Sequence, residues 1–117
     1  MRIDTKCVGT VNVLAPHGPL VDEDAEAFIG VVKARLDAPN PRFVLEMHDV
    51  PYLDSRGIEG LVEAADELRQ RGGRLRLASV PQTCREVLEL TGQAQRFEFF
   101  DENGESLYRT VKQKQGD

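Results

Sequence analysis

The sequence predicts an α/β domain: a mixed β-sheet of about four to five strands packed against about four helices, opened by an N-terminal β-hairpin. Three observations predict it. Strand-like and helix-like stretches alternate through the middle of the chain, the pattern of parallel βαβ units. The first seventeen residues instead show two period-two stretches around a Gly-Thr turn. The length, 117 residues, suits one domain of about that size, able to bury roughly two-thirds of its unfolded surface without a metal or disulfide staple. Residues 1–117 are therefore expected to form a single domain, with a core over about 9–111 and a polar tail over 112–117.

In the hairpin, Ile3, Thr5 and Cys7 alternate with polar residues, Gly9-Thr10 supply the turn, and Val11, Val13 and Ala15 alternate again. Pro16, Gly18 and Pro19 are expected to break regular structure. Asp22 is placed to cap a helix starting near Glu23, with Ala25, Phe28, Ile29, Val32 and Leu36 on one face. Ala38-Pro39-Asn40-Pro41 ends it. Phe43 to Met47 reads as an interior strand, and residues 48–53 as a loop leading to Asp54-Ser55-Arg56-Gly57. From Gly57 a helical stripe follows at Ile58, Leu61, Val62, Ala65 and Leu68, stopped by Gly72-Gly73. Arg74 to Val80 alternates, with Leu75 and Leu77 opposite Arg74 and Arg76. A short helix after Pro81 carries Val87, Leu88 and Leu90 on its apolar side, and Thr91-Gly92 close it. Phe97, Phe99 and Phe100 suggest a last strand. Asp101 or Asn103 can cap a final helix bearing Leu107, Tyr108 and Val111.

Hydrophobic residues make up 40% of the chain and charged residues 30%, an ordinary soluble balance, with a net charge of −5. That charge argues against general nucleic-acid binding, which usually shows a basic face. The start lacks the apolar core of a signal peptide, and no apolar run approaches the roughly 18 residues of a membrane span. A cytoplasmic location is the expectation. Cys7 and Cys84 form no C-x-x-C pair and read as two buried or half-buried thiols.

The chemical candidates centre on Asp54-Ser55-Arg56-Gly57, where a strand hands over to a helix. Backbone N–H groups and the positive end of the helix dipole converge there, and Asp54 or Ser55 can act as the N-cap. A serine hydrolase is disfavoured, because Leu53 and Gly57 flank Ser55 where the G-x-S-x-G elbow needs two glycines. His48 is the only nearby base, and no third group obviously orients it. Arg71-Gly72-Gly73-Arg74 ends a helix instead of starting one, so it does not read as a phosphate loop. His17 and His48 are far apart and lack a metal-ligand spacing; each is expected at a solvated loop position. The sequence thus predicts no enzyme activity, no cofactor and no metal.

Taken in order, these segments resemble the STAS domain of bacterial anti-sigma factor antagonists and of the cytoplasmic tails of sulphate transporters. The resemblance runs from about Gly9 to Val111. Its most specific part is Phe43 to Ile58, which resembles the family's strand, loop and D-[ST]-x-G signature, here Asp54-Ser55-Arg56-Gly57. Gly18-Pro19-Leu20-Val21-Asp22, Gly72-Gly73 and Val87-Leu88-Glu89-Leu90-Thr91-Gly92 support it. Two positions depart from the commoner pattern: Arg56 stands where many members have Ser, Ala or Thr, and Glu46 where Asp is frequent.

The resemblance implies an anti-sigma factor antagonist in a partner-switching pathway. Its signature residue, Ser55, would be phosphorylated by an anti-sigma factor serine kinase and dephosphorylated by a PP2C-type phosphatase. Binding to that kinase would fall on phosphorylation. The contact surface is expected over Asp49, Val50 and Tyr52 in the loop, over Asp54, Ser55, Arg56 and Gly57 in the signature, and over Glu59, Gly60 and Glu63 in the helix. Val50, Pro51 and Tyr52 read either as a small docking patch or, for Val50 and Tyr52, as side chains folded onto the core. Two other readings stay open: a non-phosphorylated accessory subunit of a membrane lipid or anion transporter, bound to its ATPase or permease, and a small serine-dependent enzyme.

Overall fold

The computed structural model describes residues 1–100. The helix expected after Asp101 or Asn103, with Leu107, Tyr108 and Val111, and the polar tail lie outside the described residues. The elements run β1 (Arg2–Val8), β2 (Val11–His17), α1 (Glu23–Lys33), β3 (Arg42–Glu46), α2 (Ser55–Gln70), β4 (Arg74–Ala78), α3 (Gln82–Leu90), a 3₁₀ turn (Ala94–Arg96) and β5 (Glu98–Phe100). The expected mixed sheet is present with five strands; the described residues hold three α-helices against the four or so expected.

The strands lie in sequence order. β1 pairs antiparallel with β2, in a register set by the Gly9-Thr10 turn, and β2, β3, β4 and β5 are all parallel. A parallel pair requires a crossover long enough to bring the chain back; α1, α2 and α3 with the 3₁₀ turn supply the three. Crossovers of one hand between strands added in one direction put their helices on one face of the sheet. The burial pattern agrees: Leu14, Phe43, Leu45, Leu75, Leu77 and Phe99 form one core cluster with Phe28 and Val32 of α1, Leu61 and Leu68 of α2, and Leu88 of α3. Val13, Val44, Arg76 and Glu98 on the opposite face are half-buried, and there Glu98 pairs with Arg74 at 3.0 Å and Arg76 at 3.7 Å.

Several local expectations are corrected. β2 continues through Pro16, because its ladder with β3 stops at Leu14 and only β1 pairs beyond that point. Cys7 is exposed, since β1 is an edge strand with no helix over it; Cys84 is buried as expected. Leu90 is 86% exposed at the last residue of α3, where Cys84 and Leu88 make the buried side. On α2 the buried stripe is Gly57, Gly60, Leu61, Ala64, Ala65 and Leu68, with Ile58 and Val62 only half-buried. The small residues matter because α1 crosses close by: a Cβ on Gly60 would stand 3.1 Å from the Ala25 Cβ. No helix among the described residues is long and apolar enough to cross a membrane.

The contrast between two neighbouring leucines tests this packing. Leu88→Ala removes a fully buried side chain and is expected to lower unfolding free energy by about 2–5 kcal/mol. Leu90→Ala should change it by no more than about 0.5 kcal/mol. Urea denaturation of the two variants reads both values.

Candidate functional site

The segment after β3 is held from three sides. The Met47 N–H donates to the Ala78 carbonyl of β4 at 2.9 Å, and the Cys84 thiol of α3 donates to the Val50 carbonyl at 3.2 Å. On the third side the segment zips against residues 18–22: Gly18 N–H donates to Asp49 O (2.9 Å), Leu20 N–H to Tyr52 O (3.2 Å) and Asp54 N–H to Leu20 O (3.4 Å). Met47, Val50 and Leu53 are buried anchors, while His48, Asp49, Pro51 and Tyr52 face solvent. The loop is thus a fixed platform with its polar residues and Tyr52 outward.

α2 begins directly from this platform. Asp54 is its N-cap: Oδ1 accepts from the Gly57 N–H at 2.8 Å. The second oxygen, Oδ2, accepts from the Asp22 N–H at 3.1 Å, at the start of α1. One carboxylate therefore ties the first turns of two helices. The Gly57 N–H, and after it the Asp22 N–H, hold the Asp54 carboxyl below its usual range, against the opposing effect of desolvation. Asp22 occupies the cap position of α1 as expected, but its side chain makes no capping bond. Its φ of 48° turns the backbone so that its N–H, not its carboxylate, serves the junction. Gly57 is required here for space: a Cβ would fall 2.0 Å from the Leu20 carbonyl oxygen.

With Asp54 as cap, Ser55 is the first residue of α2 and is exposed. The helix starts two residues before the expected Gly57. Among the described residues, the Ser55 hydroxyl has no hydrogen-bond partner, and no capping duty falls on it. Arg56 is half exposed and pairs with Glu26 of α1 at 2.5 Å; farther along the same helix pair, Lys33 and Glu63 stand 3.6 Å apart. Glu59 and Glu63 are exposed on α2 beyond Ser55.

A second cluster braces the loop. His17 ends β2 with Nδ1 2.7 Å from Asp49 Oδ2 and Nε2 2.8 Å from Asp4 Oδ2. The hydrogen bond with His17 holds the Asp4 carboxyl below its usual range, aided by Arg2. The ring is 27% exposed, so the expected solvated loop position is corrected: His17 bridges the hairpin to the Asp49 loop. His48 is solvated as expected, and its backbone N–H donates to Glu46 Oε1 at 3.1 Å.

Of the expected contact residues, the structure brings Asp49, Tyr52, Ser55, Arg56, Glu59 and Glu63 to the surface, with Asp54 partly exposed between them. Of the other three, Gly57 and Gly60 are corrected, and Val50 takes the second of its two expected readings. Val50 is fully buried, folded onto the core, while Gly57 and Gly60 are buried under Leu20 and Ala25 because the chain needs close approach there. Sequence reasoning missed Glu26 and His17. Glu26 carries no signal beyond its place in the acidic first turn of α1, and His17 shows its role only when the hairpin register sets it beside Asp4. Burial pushes the Cys84 thiol up to about 11, well away from a reactive thiolate. Among the described residues no group of three or more His, Cys, Asp or Glu is placed to hold a metal ion.

The profile of the STAS domain matches residues 2–113. The chain belongs to the STAS domain family. It is similar to a proposed anti-sigma factor antagonist of Bordetella bronchiseptica, BtrV, a curated relative 26% identical over 92 residues, which are 79% of each chain. Among solved structures, a proposed anti-sigma factor antagonist of Thermotoga maritima superposes with a TM-score of 0.78 at 23% identity, over 95% of this STAS domain and 92% of that chain. The anti-sigma factor antagonist SpoIIAA, in its unphosphorylated form, gives 0.71 at 17% identity over 99% and 98%. The murine anion transporter Slc26a9 gives 0.70 at 18% identity, over 96% of this domain and 19% of the transporter. At these identities the structures share the fold, and the fold alone is common to antagonists and transporters.

The Asp54 junction has a pH signature. A carboxyl held low by folding stabilises the native state above its unfolded value, and that contribution is lost as pH falls through the folded one. Asp54→Ala is therefore expected to melt lower than the parent at neutral pH. The gap should close as pH falls below the ordinary aspartate range. Thermal melts of both chains across that range measure it.

Proposed function

We propose that this STAS domain is an anti-sigma factor antagonist that binds an anti-sigma factor serine kinase and loses that partner when Ser55 is phosphorylated. The observation that carries this reading is the division of labour at α2: Asp54 caps the helix, and the adjacent Ser55 hydroxyl stands exposed. The curated relative supports the antagonist class. In the transfer, Ser55 Oγ forms a bond to the γ-phosphorus of the kinase's ATP as the bond from that phosphorus to the ADP oxygen breaks. ADP departs and the hydroxyl proton passes to a base of the kinase. A PP2C-type phosphatase reverses the change by hydrolysis, returning the serine and inorganic phosphate.

The partner reads charge. A phosphate adds about −1.5 to −2 charges at pH 7, at a helix N-terminus where the dipole tolerates it. A partner carboxylate at about 5 Å is repelled by roughly 3 kcal/mol per unit charge at an effective dielectric of about 20. With surface screening, a loss on the order of 100-fold in affinity follows, about 2.8 kcal/mol at 1.4 kcal/mol per decade. Exposed Asp49, Tyr52, Arg56, Glu59 and Glu63 surround the site as its contact surface, next to Asp54.

A pull-down with the unmodified chain, followed by incubation of the captured kinase with ATP, tests the reading. Phosphate is expected on Ser55 of the parent and none on Ser55→Ala. Affinity should be similar for the parent and Ser55→Ala, roughly 100-fold weaker for the phosphorylated chain, and weaker in the same direction for Ser55→Asp. Equal affinity for all forms, or capture of a transporter ATPase or permease in place of a kinase, overturns it.

A further inference from the structure

We propose that the Glu26–Arg56 ion pair is a charge relay: phosphate on Ser55 takes Arg56 away from Glu26 and so carries the signal from α2 onto α1. The inference rests on Ser55 as the modified residue and adds where the new charge acts. Arg56 immediately follows Ser55 in the first turn of α2, and it is the cation nearest to Ser55 in sequence. In the unmodified chain its guanidinium meets Glu26 Oε1 at 2.5 Å, with the Arg56 and Glu26 side chains 49% and 70% exposed. An exposed pair of this kind contributes little to stability and is easily exchanged. A phosphate offers nearly twice the charge of a carboxylate and three acceptor oxygens suited to the guanidinium fork.

The competing acceptors nearby do not hold Arg56. The Asp54 carboxylate is engaged by the Gly57 and Asp22 N–H groups, and Glu59, one turn after Ser55, has no ion-pair partner among the described residues. The amides of Ser55 and Arg56 donate to no group among the described residues, as expected for the open first turn of a helix, and they give the phosphate further donors. Once Arg56 turns to the phosphate, Glu26 is left as a bare carboxylate on α1. Glu26, Arg56 and Glu59 all line the groove between α1 and α2; the modified surface adds a bare carboxylate on its α1 side, where the unmodified surface holds Glu26 neutralised by Arg56 and carries, among the described residues, unpaired charge on Glu59 of α2. A partner docking across this groove is repelled over a wider area than one residue covers, and Glu26 becomes a specificity residue although no signature contains it.

The test uses chains of full length carrying phosphoserine at position 55 by site-specific incorporation, so it requires no kinase. The Glu26 side-chain carboxyl resonance is read by ¹³C NMR in the unmodified parent, the phosphoserine chain and Arg56→Gln, and the ³¹P resonance in the phosphoserine chain with and without Arg56→Gln. Expected is a Glu26 resonance in the phosphoserine chain shifted to the position it has in Arg56→Gln, and a ³¹P shift that changes when Arg56 is replaced. A Glu26 resonance that stays at the parent position, or a ³¹P shift indifferent to Arg56, overturns the relay. Because the phosphate is built in, that outcome counts against the exchange alone, whereas failure of a kinase to modify Ser55 counts against the partner-switching reading. Unchanged amide resonances in β3 and β4 show that the fold is intact in each chain.

Discussion

The junction of α1 and α2 depends on the Asp54 carboxylate, which accepts the Gly57 N–H with one oxygen and the Asp22 N–H with the other. Both are backbone donors at the open first turn of a helix, where no intrahelical acceptor exists. The arrangement holds only because Leu20 lies against Gly57 with no room for a Cβ. It also depends on the bridge between Leu20 and Leu53, which brings the two segments side by side. Gly60 against Ala25 continues the same close approach one turn later. A carboxylate, two glycines and a short backbone zipper therefore hold the starts of both helices together.

The consequence for function is that Ser55 is spared structural work. A serine that capped the helix would lose its capping bond on modification, and the fold would feel the change. Here the capping group is the preceding residue, and the hydroxyl stands beyond it in solvent. On the proposed reading, charge added at Ser55 alters the surface and leaves the junction beneath with its hydrogen bonds. The His17 bridge to Asp4 and Asp49 works in the same sense, bracing the loop that carries Tyr52 so that the proposed contact surface is preformed.

Much of the fold was legible in the sequence because periodicity reports burial directly. Leu75 and Leu77 against Arg74 and Arg76, and the apolar run from Phe43 to Met47, gave the central strands, and the Gly9-Thr10 turn gave the hairpin. The D-S-R-G tetrapeptide located the start of α2 to within two residues. What escaped depends on pairing between distant segments. Nothing local tells that His17 will face Asp4 and Asp49, that Glu26 will meet Arg56, or that Asp22 will offer its N–H to Asp54 in place of its side chain. Val50 stayed open and Leu90 misled for a related reason: an apolar residue in a loop or at a helix end has no period to show which way it points. Gly57 and Gly60 sat within the expected contact region because a glycine in a helix looks exposed until the element crossing it is known.

The central claim is that phosphate at position 55 rewrites the surface without loosening the Asp54 junction. Amide hydrogen exchange at Gly57 and Asp22, compared between the unmodified chain and one with phosphoserine at 55, tests it most directly. Equal protection of both amides in the two chains is the predicted result. Loss of protection at either amide would show that the modification acts by opening the helix start, and would contradict the account.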